Sequence, residues 1–184
     1  MVTLLRSMQA EGYAHPVVVL ANTPEAGGLA KAESLGVATE VVDHRTYGTD
    51  RAAFEAEIQN RLNPYKIDMI CLAGFMRVLT PDFTEQWEGK MLNIHPSLLP
   101  KYKGLHTHKR AIEAGDTVAG CSVHLVTAKL DDGPVLGQAE VPVYGHDTEQ
   151  SLAARVLEQE HILYPMVLKR FVCGMTELIK ITAD

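Results

Sequence analysis

An amide and an imidazole stand two residues apart in the stretch MLNIHPSLLPKYKG (residues 91–104), where Asn93 and His95 close a short apolar run before Pro96 and Pro100 forbid regular structure. If residues 92–94 end a strand, both side chains point to one face, because strand side chains alternate. An amide donor and a protonated ring suit a reaction that builds negative charge on a carbonyl oxygen. Transfer of an acyl group to an amine needs a polarised carbonyl, a held oxyanion and a proton moved from the attacking nitrogen to the leaving one. Asn93 and His95 can perform the first two tasks. A carboxylate beside His95 would favour the charged ring, and Asp131 or Asp132, on a turn between two strands, can stand there. Read blandly, the same residues are a polar strand end running into a proline-rich loop. No G-x-S-x-G elbow and no Ser or Cys nucleophile adjoins His95, which favours direct transfer over a covalent acyl-enzyme.

Glu160 is a further candidate. On a helix predicted from about Thr148, with Asp147 or Thr148 as its cap, Leu152, Val156, Leu163 and Val167 form one apolar stripe and Glu160 falls within it. A carboxylate on that face requires a partner, a cavity or a ligand, and an internal ion pair answers as well as a substrate does. The remaining histidines make a weak case for metal. His106 and His108 are two apart at a helix start and cannot share a helical face, no H-E-x-x-H or paired-cysteine motif occurs, and no metal is expected. His124, among Val123, Leu125 and Val126, reads as a buried, hydrogen-bonded structural histidine. Lys101, Lys103, Lys109 and Arg110 form a basic cluster that either attracts an anion or is a solvated face.

The elements that must position these groups alternate. A helix at residues 1–12 is followed by an apolar strand at 15–22, a helix at 27–36, a strand at 37–42, and a helix from Thr49 or Asp50 to about Leu62. Then come a strand at 67–73, a short helix from Pro81, and the strand at 90–94 that delivers Asn93 and His95. After a helix at 106–115, the runs 118–127 and 134–143 read as a hairpin-like pair that breaks the alternation. The pattern predicts an α/β, three-layer, mostly parallel doubly wound (Rossmann-like) sheet with a mixed edge. Ligands bind such sheets outside the carboxyl ends of the strands, where residues 73–79 and 93–104 lie.

A chain of 184 residues, 46% hydrophobic and 22% charged, suits one domain over residues 1–184 with a single core. Its net charge of -6 argues against nucleic acid as a partner. Three widely spaced cysteines form neither a disulfide framework nor a zinc pattern and suit a cytoplasmic protein. No run approaches the roughly 18 apolar residues needed to cross a bilayer, and no signal peptide is evident.

The motifs AGFMRVLTP (73–81), LNIHPSLLPKYKGLHTH (92–108), SVHLVTAKLDDGPV (122–135) and RVLEQEHILYP (155–165) resemble those of the folate-dependent, monofunctional glycinamide ribonucleotide formyltransferases, over nearly the whole chain. The resemblance implies transfer of a formyl group from 10-formyltetrahydrofolate to 5'-phosphoribosylglycinamide in purine (IMP) biosynthesis. It further implies Asn93, His95 and Asp131 as catalytic residues, and Arg51, Met76, Arg77, Val78, Leu79, Asn93, Val126, Thr127 and Ala128 against the folate. Pro96, Gln159 and Glu160 would meet the ribonucleotide. Asp132 departs from the family, which usually has a small residue there. A second departure is larger: the usual first strand and its Gly-Ser-Asn phosphate loop are expected to be missing ahead of Met1, so that the domain is N-terminally truncated. The expected partners are these two small molecules, with no membrane, in a monomer or homodimer. A formyltetrahydrofolate deformylase, a methionyl-tRNA formyltransferase-like enzyme and a non-catalytic folate-binding relic are the alternatives.

Overall fold

The computed structural model describes residues 1–183. The first half alternates as its apolar runs demand: α1 (Val2–Glu11), β1 (Val18–Ala21), α2 (Gly28–Ser34), β2 (Ala38–Val41), α3 (Arg51–Leu62), β3 (Ile70–Leu72), α4 (Pro81–Gln86) and β4 (Met91–His95). There follow α5 (Thr107–Glu113), the hairpin β5 (Val118–Leu125) and β6 (Val135–Pro142), the long α6 (Glu149–Val172) and β7 (Ile179–Thr182). Local chemistry sets the ends. Asp50 rather than Thr49 caps α3, accepting from the Ala53 amide at 3.0 Å. Thr148 and Ser151 bond reciprocally to each other's backbone amides in a capping box that opens α6.

Strands are shorter than the apolar runs that announce them; residues 15–17 and 67–69 lie outside β1 and β3. The strand β7 escaped the sequence reading. Only four residues long, it pairs in parallel with β6, placing Gly137 opposite Ile179. At Gly137 a side chain would collide with Val167 and Leu163 of α6, so the glycine lets the helix sit directly on the strand.

The sheet is in two pieces. β1 pairs in parallel with β2, and the other five strands follow the order β3-β4-β5-β6-β7, in which β4–β5 and β5–β6 are antiparallel and the outer pairs parallel. Helices cover both faces. Leu4, Leu5 and Met8 of α1 join Leu152, Val156 and Leu163 of α6 on one side, and Phe54, Ile58 and Leu62 of α3 join Phe83 of α4 on the other. β1 and β3 do not pair. Between them runs a cavity of about 840 Å³, lined by consecutive residues 17–22 and 67–75 and walled by Leu5 of α1, Ile58 of α3 and Phe171 of α6. Consecutive lining residues mean that both strands turn their backbone edges into the slot. Native cores hold few voids larger than a water molecule. The slot is therefore an opening between two strand edges that no other strand pairs with among the described residues.

Candidate active site

Asn93 and His95 reach the carboxyl end of β4 on one face, as their spacing predicts. The loop beyond them is pinned from below by buried hydroxyls. Ser122 Oγ donates to the Ser97 carbonyl at 2.7 Å and accepts from the Leu99 amide at 3.0 Å, while Gln138 Nε2 donates to the Leu99 carbonyl at 2.9 Å. Ser97 Oγ in turn donates to the Lys101 carbonyl at 2.6 Å. Each bond satisfies a backbone group that a buried loop would otherwise leave unpaired.

Asp131 completes the cluster from the turn between β5 and β6. Its Oδ2 lies 3.4 Å from His95 Nδ1, and both side chains are 7% exposed. The other face of the ring places Nε2 3.0 Å from the Tyr102 carbonyl. Both ring nitrogens thus face oxygen acceptors, an arrangement that the imidazolium, with a proton on each nitrogen, suits on both sides. Asp131 adopts a left-handed backbone, φ 48°, which an aspartate tolerates better than most residues. That conformation turns Asp131 inward and leaves Asp132 at the surface, paired with Lys103 Nζ. The choice the sequence left open between the two aspartates is made by the backbone.

His124 is buried and hydrogen-bonded, as expected, but its partners lie within the site. Nδ1 sits 2.8 Å from the Leu125 carbonyl and Nε2 lies 3.2 Å from Asn93 Nδ2. Burial lowers its pKa, so the neutral ring donates from Nδ1 and accepts the Asn93 amide proton at Nε2. The amide is thereby oriented, with its second N–H left for another acceptor. The antiparallel register places Asn93 opposite His124. That pairing is the signal that sequence reasoning lacked.

A second group gathers beside the cluster. Arg51 Nη1 is 3.4 Å from the Val78 carbonyl, and the Arg77 guanidinium stands 5.5 Å from the Phe54 ring centroid. Met76 and Val78 are exposed, while Leu79 and Val126 pack on the same apolar cluster with Phe75. Thr127 and Ala128 are exposed on the turn after β5. Glu55, which sequence reasoning missed, is buried and accepts the Thr80 amide at 2.8 Å as well as the Thr80 hydroxyl. It ties the loop of residues 76–80 to α3. An apolar α3 face gives no sign of a carboxylate with such a task.

On α6, Gln159 and Glu160 are half-buried. Burial raises the Glu160 carboxyl to about 7, with the chain's amino terminus acting weakly against it. No salt bridge to Glu160 occurs among the described residues. Pro96 borders a small crevice near His108 and Asp116. The basic cluster is largely paired: Lys101 with Asp116, Lys103 with Asp132 and Lys109 with Glu113. Arg110 donates to the Lys103 carbonyl at 2.7 Å and lies over Tyr102. Among the described residues, no cluster of three or more His, Cys, Asp or Glu is placed to hold a metal ion, and no helix is long and apolar enough to cross a membrane.

An oriented amide and an imidazole beside a buried carboxylate are the groups that transfer of an acyl group to an amine calls on. Comparison with known proteins points the same way. The family model Formyl transferase matches residues 1–168. Phosphoribosylglycinamide formyltransferase of Escherichia coli (strain K12) is 46% identical over 160 residues, 87% of this chain and 75% of its own length. The crystal structure of phosphoribosylglycinamide formyltransferase from Brucella melitensis superposes with a TM-score of 0.87 at 52% identity, covering 95% of this chain and 90% of that one. The structure of the same-named protein from Anaplasma phagocytophilum gives 0.88 at 34% identity, covering 100% of this chain and 92% of that one. The chain belongs to the formyl transferase family and, within it, to the phosphoribosylglycinamide formyltransferases.

Proposed function

We propose that this chain transfers the formyl group of 10-formyltetrahydrofolate to the amine of 5'-phosphoribosylglycinamide, a step of purine biosynthesis. The observation that carries the reading is the meeting of Asn93, His95 and Asp131 at one strand end, in a chain of this family. The amine nitrogen attacks the formyl carbon and a new C–N bond forms. The carbonyl oxygen becomes an oxyanion, held by the free N–H of Asn93 and by the positive charge of His95. Asp131 keeps that charge in place. The bond from carbon to the folate nitrogen then breaks, and the proton lost by the amine passes to that nitrogen.

In this reading the folate lies against Arg51, Met76, Arg77, Val78, Leu79, Val126, Thr127 and Ala128, while Pro96, Gln159 and Glu160 face the ribonucleotide. The domain acts as a single unit in the cytoplasm. A formyl-transfer assay with both small molecules tests the proposal. His95→Ala is expected to remove turnover by at least about a hundredfold, and near-full activity in that variant would overturn the mechanism.

A further inference from the structure

Two loops meet at Asp131 without sharing an element: residues 101–106, which follow the loop after β4, and residues 127–133, which join β5 to β6. The Gly104 amide donates to Asp131 Oδ2 at 2.8 Å. One residue earlier on the first loop and one later on the second, Lys103 Nζ pairs with Asp132 Oδ1. Leu130 lies over Gly104, its Cδ2 3.9 Å from the place of a Gly104 side chain. On the opposite side Arg110 Nη1 holds the Lys103 and Leu105 carbonyls at 2.7 and 3.3 Å. Tyr102, Gly104, His106 and Asp131 all have left-handed backbones, so both loops are bent and need external support.

We propose that the Lys103–Asp132 ion pair is a clasp that positions Asp131 against His95. It acts through the adjacent Gly104–Asp131 hydrogen bond, and it makes Asp132 a positioning residue of this chain. The reasoning is geometric. Asp131 has its ring partner and its amide partner on the same carboxyl oxygen, so movement of the turn away from Gly104 also moves it away from His95. The clasp closes the next position of the same seam. The Lys103 ammonium holds the Asp132 carboxyl below the usual carboxylate range, which favours the ionised form that the pair needs. The Lys103 and Asp132 side chains are 34% and 41% exposed, which makes the clasp weak, adjustable and sensitive to salt. The catalytic importance of Asp131 rests on the function proposed above; the clasp itself does not.

Amide hydrogen exchange at Gly104 in the full chain tests the clasp without substrate. Exchange near neutral pH is catalysed by hydroxide, so charge acting through space would make Lys103→Met slow exchange and Asp132→Asn speed it. A clasp requires both variants to speed exchange, by up to about fivefold, the factor that a partly exposed ion pair supplies. The doubly swapped chain, Lys103→Asp with Asp132→Lys, is expected to return to the parent rate. Opposite signs for the single variants, or a swapped chain as fast as either of them, would overturn the proposal. A chain that shows the paired acceleration yet transfers no formyl group would refute the function and leave the clasp standing.

Discussion

The Asn93 amide donates to His124 Nε2 at 3.2 Å, across the antiparallel pairing of β4 and β5. An oxyanion donor contributes only if it is already aimed where charge develops; in the proposed mechanism Asn93 is that donor and the neutral His124 ring aims it. His124→Phe keeps much of the buried volume but removes the acceptor. It is expected to lower kcat by roughly tenfold or more while leaving KM for both substrates nearly unchanged, as steady-state kinetics would show. An equal rise in KM with unchanged kcat would assign His124 to binding instead.

Asp131→Asn retains shape and the Gly104 hydrogen bond but removes the charge beside His95. Turnover is expected to fall by about 10²–10⁴, the range for loss of a partner in general acid–base catalysis. Circular dichroism should be unchanged. Activity close to that of the parent would show that His95 needs no carboxylate beside it.

Glu160 ties stability to pH. Its carboxyl is raised from 4.5 to about 7 in the folded chain by burial, so between those values the folded state holds a proton that the unfolded state has lost. Stability must then fall as pH rises from about 4.5 toward 7. Glu160→Gln should flatten that slope and, at pH 8, stabilise the chain by ~2 kcal/mol after allowance for partial exposure. Thermal melts across pH 4–8 would show it. The same variant should weaken ribonucleotide binding more than folate binding.

Asp147 and Arg155 brace the start of α6. Arg155 Nη1 and Nη2 each lie 2.8 Å from one Asp147 carboxylate oxygen, and Nη1 also donates to the Pro142 carbonyl at 2.7 Å. The guanidinium holds the Asp147 carboxyl well below the usual carboxylate range, so this stabilisation is present above the unfolded value near 3.8 and is lost only as pH falls through the lower folded one. Asp147→Ala leaves Arg155 half-paired and should cost on the order of 3 kcal/mol in denaturant unfolding at neutral pH.

The slot between β1 and β3 invites a direct comparison. A chain given an added apolar segment that fills the slot is expected to melt at a higher temperature than this one. Equal melting temperatures would show that the slot accepts no strand.

Much of the fold is legible in the sequence. The apolar stripe of α6 is fully buried at Leu152, Val156 and Leu163, because a 3.6-residue period has one reading over so long a helix. Asn93 and His95 could be placed together because strand geometry is local. The role of His124 could not, since it depends on register between strands, and that register shifts at Val123/His124 opposite β6. β7 was illegible for another reason: four residues with two half-buried side chains carry too little pattern to separate from a loop. Glu55 was hidden because its partner, Thr80, is 25 residues away.

The β1–β2 pair has no ladder to the five-stranded sheet. What joins the two parts is side-chain packing and covalent crossover, which can loosen a little at a time, whereas a ladder parts all at once. Amides of Val18–Ala21 should accordingly exchange with solvent at a lower opening energy than those of β4 and β5, so that the β1–β2 pairing can open while β4 and β5 stay paired.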